Sequence, residues 1–225
     1  MVAAPAMGLS LGRPSTVWKS YCTALERQPL VTKSLTSLVG FALGDMVAQA
    51  TTKANLRKHK RFDFQRTLRM ATFGGAIGGP MGHFWFQYLD KAVLPKTPKS
   101  PAAVFSKIGL DQLIMAPIGT LIFFASQQLM QGKPRTIGSQ VKEKLWPTTV
   151  AGYKLWPLAH LVNFALIPPA QRVLYVNIIS VGWTCILSQA AEGIKAEQAA
   201  FSPPQQVPIV EPIKYGKDAP KLQRA

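Results

Sequence analysis

The sequence predicts an all-α membrane protein, a polytopic bundle of four or five transmembrane helices that prolines break. Hydrophobic residues make up 48% of its 225 residues and charged residues only 16%, and the charges lie mainly between apolar stretches. The stretch 70–89 has 20 positions without a formal charge. That length is about what a helix needs to cross the ~30 Å hydrocarbon core of a bilayer.

Small residues recur at helical spacing inside this central stretch. Gly74, Gly78 and Gly82 are four residues apart, which predicts one smooth helix face that a second backbone can approach closely. Pro80 lacks a backbone donor and predicts a break in the helix. His83 adds a titratable ring one turn further along and is a possible pH-sensitive element.

The first apolar stretch, 34–52, repeats the same small-residue spacing at Gly40 and Gly44. We therefore expect this helix to pack against the glycine face of 70–89. A helix that is apolar on most sides and carries small residues on one side is typical of a transmembrane bundle.

Asp45 is the one formal charge in 34–52, and Gln49 stands one turn later on the same side. A carboxylate at membrane depth is costly unless it meets water, a cation or hydrogen-bond donors. Two roles are open for Asp45. It faces water in a conducting path, or it is a structural partner for Arg66 or Arg69.

A third apolar stretch runs from about 112 to 131 without a formal charge. Lys107 and Asp111 precede it at i, i+4 spacing, and we expect them to pair. Gln112 adds an amide, and Pro117 should loosen the helix one to two turns in.

The stretch 155–191 contains one charged residue, Arg172, and is too long for a single crossing. Pro168 cannot lie inside a regular helix, and Pro157 opens the first piece. The stretch is therefore either two spans or a short broken helix followed by a span from about 173. His160 and Asn163 share a face of the first piece, and polar groups beside a helix break line a cavity or satisfy freed backbone groups.

The candidate pore-lining or buried polar residues are Asp45, Gln49, His83, Asp111, Gln112, His160, Asn163 and Arg172. The predicted helix-packing glycines are Gly40, Gly44, Gly74, Gly78 and Gly82, and the predicted helix breaks are Pro80, Pro117, Pro157 and Pro168.

The formal net charge of +16 lies largely in connectors, with seven Lys or Arg in 53–69. That distribution favours anionic lipid headgroups over nucleic acid as the partner. Residues 1–28 are predicted to form an arm whose helix lies in the interface or packs on the bundle. Residues 29–192 form the transmembrane domain, and 193–225 form a flexible proline-rich tail.

No motif for covalent or metal chemistry is present. The glycines of 74–82 do not end in Gly-Lys-Ser/Thr, and HExxH and GxSxG runs are absent. The two cysteines, Cys22 and Cys185, have no metal-ligand spacing. We therefore expect neither an enzyme nor a cofactor, with intramembrane acid–base chemistry the least favoured alternative.

Many residues occur together in a familiar order. The most specific run is Trp156-Pro157, Asn163-Phe164, Pro168, Arg172, Trp183 and Leu187-Ser188, and it is preceded by Gly44-Asp45 with Gln49, Gly79-Pro80, His83, and Asp111-Gln112. With these residues the chain resembles the Mpv17/PMP22 family of small organelle membrane proteins, over about 18–188. It departs from the family pattern at His160, Thr184 and Ile186, where Gln, Asn and Tyr are usual.

The resemblance implies a helical bundle, commonly of four spans, that acts as a passive, weakly selective pore for small solutes or ions. A structural protein that organises lipids or partner subunits is the alternative. The expected partners are the bilayer with its anionic lipids, the small solutes and a second copy of the chain. The basic, acid-poor N-terminus favours the mitochondrial inner membrane, ahead of the peroxisomal membrane and a plastid.

Overall fold

The computed structural model describes residues 15–55 and 61–184, and every regular element in these two ranges is helical. The all-α class is therefore confirmed for the part of the chain that is described. The predicted tail 193–225, Cys185, the first 14 residues and the centre of the basic connector 53–69 lie outside the described residues.

The described α-helices follow one another with short connections. They are α1 (Thr16–Arg27), α2 (Pro29–Asn55), α3 (Phe64–Phe73), α4 (Gly79–Ala92), α5 (Pro101–Leu110), α6 (Ala116–Met130), α7 (Ile137–Gly152), α8 (Trp156–Ala165) and α9, whose described part is 172–184. Two π-helical segments, Gly74–Gly78 and Asp111–Met115, join α3 to α4 and α5 to α6 without a break.

Each π segment is followed after one residue by a proline, Pro80 in one helix and Pro117 in the other. A proline removes one backbone donor and its ring crowds the carbonyl four residues earlier. The wider π turn, with its i→i+5 hydrogen bonds, relieves this crowding and lets the helix continue. The predicted breaks at these two prolines are thus local changes of helix type.

The π segment also decides which glycines pack closely. A Cβ added to Gly74 would lie 2.5 Å from the Ser37 carbonyl oxygen, and one added to Gly79 would lie 2.7 Å from the Ser34 Cα. These glycines are five residues apart, and a π turn brings residues at that spacing to the same face. The close contact with α2 therefore uses a five-residue spacing.

The other two glycines of the predicted face are placed differently. A Cβ at Gly78 would have an ordinary 3.4 Å contact with the Phe41 ring, and a Cβ at Gly82 would meet Val173 of α9 at 3.5 Å. The four-residue spacing of 74, 78 and 82 does not produce one contact face, because the π segment interrupts the regular 3.6-residue period.

The small residues of α2 also have a different neighbour from the predicted one. A Cβ on Gly40 would lie 2.9 Å from Asn177 Cβ, and one on Gly44 would lie 3.5 Å from Val181 Cα. These two glycines therefore face α9 and not the glycines of 74–82. Gly40 contacts Asn177 and Gly44 contacts Val181, so both helices advance in the same direction and run parallel.

The second half of the chain folds back on α5 and α6. Helix α7 packs on α6, and α8 packs on α5. The Tyr153 hydroxyl donates to the Gln112 carbonyl at 3.2 Å, whereas Phe164 joins a core cluster with Val104. The broken pair α7–α8 thus runs antiparallel to α5–α6.

The ends of these helices follow ordinary backbone rules. Gly132, with φ +70°, lies just after Gln131, the C-cap residue of α6, and takes a left-handed conformation that glycine adopts at low cost. Helix α8 ends three residues before Pro168, and α9 begins at 172, so the piece that opens at Pro157 is a short helix. Pro147 lies inside α7 and was not predicted as a break.

Within the described residues, two helices are long and apolar enough to cross a membrane, namely Pro29–Thr51 and Pro101–Met130. The helix that contains 70–89 is not one of them, because its glycines, His83 and Gln87 lower its mean hydropathy. The predicted number of four or five spans therefore stays a prediction.

Candidate functional site

The first polar group joins the end of α2 to the start of α3, and we name it the α2–α3 clasp (Asp45, Gln49, Asp63, Arg66 and Thr67). Asp45 is fully buried. Its Oδ2 accepts hydrogen bonds from Thr67 Oγ1 at 2.6 Å and from Gln49 Nε2 at 2.7 Å. Arg66 Nε lies 2.7 Å from Asp45 Oδ1. Of the two roles open for Asp45, these contacts match the structural partner of Arg66.

The same clasp fixes the chain where it enters α3. Asp63 caps α3, because its Oδ1 accepts from the Arg66 backbone N–H at 2.8 Å. The Gln49 side chain holds the Asp63 backbone from the other side, donating to its carbonyl at 3.1 Å and accepting from its N–H at 2.8 Å. Backbone groups that helix geometry leaves unpaired are thereby satisfied.

The second group, the aromatic–polar cluster (Trp85, Asp111, Gln112, His160 and Asn163), lies between α4, the second π segment and α8. Asp111 Oδ1 accepts from Trp85 Nε1 at 2.8 Å, and Asp111 Oδ2 lies 3.1 Å from His160 Nε2. Gln112 Nε2 donates to the same oxygen at 2.9 Å, and Asn163 Nδ2 lies 3.5 Å from His160 Nδ1. Four of the predicted polar candidates thus come together.

Aromatic rings hold the imidazole of this cluster in place. The His160 ring stacks between Trp156 and Phe164, with centroid distances of 5.6 and 5.5 Å. Two acceptors of the cluster, Gln112 Oε1 and Asn163 Oδ1, are buried without a hydrogen-bond partner. An acceptor that is buried without a donor destabilises the fold. A solute or water molecule that donates a hydrogen bond to it would therefore be bound favourably.

The third group, the basic cluster, contains Lys33, His83, Asp90, Lys107 and Arg172. Asp90 Oδ1 accepts a hydrogen bond from Lys107 Nζ at 2.7 Å, and Arg172 Nη1 lies 2.8 Å from both Asp90 oxygens. The Lys107 and Arg172 side chains are 0% and 2% exposed, against 25% for Asp90. Lys107 therefore pairs with Asp90 of α4, and the predicted pair with Asp111 is wrong.

Lys33 enters the basic cluster from α2. Its Nζ lies 3.3 Å from His83 Nδ1, and His83 Nε2 lies 3.2 Å from Gln87 Nε2. His83, Gln87 and Asp90 are at i, i+4 and i+7 and so share one face of α4. Lys33 is 5% exposed and within electrostatic reach of both Asp90 and Arg172.

The predicted polar residues thus separate into three groups, and the structure adds members that the sequence did not single out as site residues. These are Lys33, Asp63, Arg66, Thr67, Trp85, Asp90 and Lys107. No short-range spacing links Lys33 to His83, because they come from different helices and meet only in the folded bundle. Among the described residues, no group of three or more His, Cys, Asp or Glu is arranged to hold a metal ion.

These features define a class of protein. The described part of the chain is helical, buries ion pairs between its helices, and has two helices long and apolar enough to cross a bilayer. These properties are those of a helical membrane protein. Charged side chains inside such a bundle face one another and not the lipid.

Comparison with known proteins identifies the family. The model of the Mpv17 / PMP22 family matches residues 128–188, which include His160, Asn163 and Arg172. Protein sym1 of Aspergillus oryzae is 37% identical over 180 residues, which cover 80% of this chain and 100% of that relative. PXMP2/4 family protein 4 of Dictyostelium discoideum is 35% identical over 170 residues, with 75% and 90% covered.

The chain belongs to the Mpv17/PMP22 family, as its residue pattern predicted. It is therefore an organelle membrane protein, of a family found in mitochondrial and peroxisomal membranes. No solved structure matches the chain.

Proposed function

We propose that the protein is a passive, weakly selective pore for small solutes or ions. The observation that carries the proposal is a series of buried polar side chains on adjacent turns of α5 and its π segment. Lys107 belongs to the basic cluster, and Asp111, one turn later, belongs to the aromatic–polar cluster. Ionisable groups are rare inside membrane proteins and mark solute paths when they occur in series.

The two unpartnered acceptors support this path. Gln112 Oε1 and Asn163 Oδ1 lie beside the Asp111–His160 pair, where a hydrated solute would satisfy them. A pore needs polar groups that bind solutes weakly and at several places, so that solutes both enter and leave. The pore would need neither a cofactor nor a catalytic residue, since passage down a gradient requires no bond to be broken.

Five helical segments are proposed to traverse the membrane: α2, the continuous helix 64–92, the continuous helix 101–130, the broken pair α7–α8, and α9. Helix α8 alone has ten residues, about 15 Å, which is half of a bilayer core. Joined to α7, it matches the length of the antiparallel helix α5–α6 on which both pack. At the break, the backbone N–H groups of Tyr153, Lys154 and Leu155 each donate to a carbonyl three or four residues earlier, so that these donors are satisfied as a membrane interior requires.

The proposed location is the mitochondrial inner membrane, with the peroxisomal membrane second and a plastid third. The support is the acid-poor N-terminal sequence, with Arg13, Lys19 and Arg27 against Glu26. Imaging of a C-terminally tagged chain against organelle markers tests this choice. Labelling of peroxisomes alone would contradict it.

Reconstitution tests the pore. The purified full-length protein, placed in vesicles of neutral phospholipid, should release small trapped solutes without an energy source and should conduct ions. Asn163→Leu removes an unpartnered acceptor at similar volume and should reduce the flux. Gln131→Leu, which removes an exposed amide at the end of α6, is the control and should leave it unchanged.

A structural role for the protein is the second candidate, and the α2–α3 clasp, in which Asp45 contacts Gln49, Arg66 and Thr67, favours it. A protein that holds lipids or subunits together needs such closed contacts and no path. If the folded protein neither conducts nor releases solutes in pure lipid, the structural role replaces the pore.

A further inference from the structure

We infer that the basic cluster binds a phosphate-type anion and gives the pore proposed above a preference for anions. The preference rests on the proposed function, whereas the binding does not. The observation that carries the inference is that Lys107 and Arg172 both contact the single carboxylate of Asp90, while Lys33 contacts His83 on the same face of α4.

The charges of the basic cluster do not balance. Lys107 and Arg172 both contact Asp90, and no other described acidic residue lies within 4.0 Å of them or of Lys33. All three cations are at least nine-tenths buried. Each loses hydration in that position, so a second negative charge in their midst would be strongly favoured.

Hydrogen-bond donors are also left over. Arg172 Nε is buried without a partner, although Nη1 of the same guanidinium donates to Asp90. The Lys33 ammonium carries three donors, and its contact among the described residues is the His83 ring nitrogen. A tetrahedral oxyanion offers several acceptor oxygens to a guanidinium and an ammonium together, which a halide ion cannot do.

The helix geometry adds to the positive potential. Lys33 lies one turn after the start of α2, and Arg172 is the first residue of α9. Helix N-termini carry a partial positive charge that attracts anions. Asp90, the most exposed of the charged residues in this contact, gives the cluster access to the surface.

Equilibrium dialysis of labelled inorganic phosphate against the full-length wild-type protein in neutral detergent measures the binding. Saturable uptake of about one phosphate per chain is expected. Absence of saturable uptake would overturn the inference, whatever any variant does.

Melting experiments locate the site. Phosphate, compared with chloride at equal ionic strength, should raise the wild-type Tm by about 2–4 °C when the site is nearly full. Lys33→Gln should lose this rise without touching the contacts of Asp90, and Lys33→Arg should keep it. Lys91→Gln, an exposed lysine beside the cluster, is the control for the general salt effect of phosphate. An equal rise in Lys33→Gln and the control would place the bound anion elsewhere and overturn the assignment.

The same chemistry occurs in free phosphates and in phospholipid headgroups, and nanodiscs separate the two. In phosphatidylcholine nanodiscs a site for free phosphate takes up label, and added phosphatidic acid leaves the uptake unchanged. A headgroup site loses the label when phosphatidic acid is present. Both results support the phosphate chemistry.

Reversal potentials in a potassium chloride gradient then test the pore and the site separately. The wild type should favour chloride, and Lys33→Gln should move toward potassium. A protein that conducts but binds no phosphate overturns this inference and leaves the pore standing. A protein that binds phosphate but does not conduct overturns the pore and leaves the site.

Discussion

The α2–α3 clasp and the basic cluster lie near opposite ends of α2, and they bury charge in opposite ways. In the clasp the anion is hidden, since Asp45 is 0% exposed, while the side chain of its partner Arg66 is 39% exposed. In the basic cluster the cations are hidden and the carboxylate of Asp90 reaches the surface.

This difference separates a closed contact from an open one. The carboxylate of the clasp has two neutral donors and one cation, all from residues that close a single connection between helices. The basic cluster joins α2, α4, α5 and α9 and holds more positive than negative charge. The charge of Asp45 in the clasp is therefore balanced by Arg66, whereas the basic cluster would gain from an anion.

The largest expected effect comes from Asp90→Asn. This change leaves the buried Lys107 and Arg172 without their carboxylate, which should lower the free energy of unfolding by about 3–5 kcal/mol. Thermal melting in detergent measures it. Glu143→Gln, an exposed acid in α7, is the control, and a loss no larger than that of the control would contradict the pairing.

Asp45→Asn should cost less, about 2–3 kcal/mol, because Arg66 can turn toward water while only the hydrogen bonds to the buried oxygens are weakened. We also expect the reversal potential of the reconstituted protein to stay unchanged. A stable variant whose selectivity moves toward anions would instead make Asp45 a residue of the conducting path.

The contact between α2 and the first π segment lies between the two charged groups. Gly79→Ala would push a methyl group into the Ser34 backbone, and we expect a loss of about 1–3 kcal/mol. Gly78→Ala, one position earlier, has room beside the Phe41 ring and serves as the matched control. Equal melting temperatures for the two variants would refute the five-residue spacing.

The smallest effect is expected for Thr67→Val, which keeps the shape of the side chain and removes one donor to Asp45. A single buried hydrogen bond contributes about 1 kcal/mol. Thr67→Ser retains the hydroxyl and should keep most of this stability. If Thr67→Val melts no lower than Thr67→Ser, the hydroxyl does not contribute to the clasp.

Local spacing predicted part of this molecule well. Asp45 and Gln49 share a side of α2 because they are one turn apart, and Arg66 was one of the two cations expected beside Asp45. Pro80 and Pro117 were expected to disturb their helices, and each follows a π segment. These features depend on residues that are neighbours along one helix or across one connection.

Contacts between helices that are far apart in the chain could not be predicted from the sequence. The i, i+4 spacing predicted a pair between Lys107 and Asp111, yet each contacts a residue of another helix instead, Asp90 for Lys107 and His160 for Asp111. A regular helical period likewise cannot reveal a contact built from Gly74 and Gly79, because their common face exists only once the π turn has formed. Spacing gives the distance between two side chains but does not identify a third group that competes for one of them.

The first π segment also changes the direction in which side chains point along the continuous helix 64–92. In a regular α-helix Thr67 and His83 would point roughly 160° apart, because each residue advances the direction by about 100°. The extra residue in the π turn cancels about one such step, leaving roughly 60° between them, so that one helix presents both residues to α2. A uniform α-helix of the same length, without the π turn, would turn everything after Gly78 by about 100°, which would carry His83 away from Lys33.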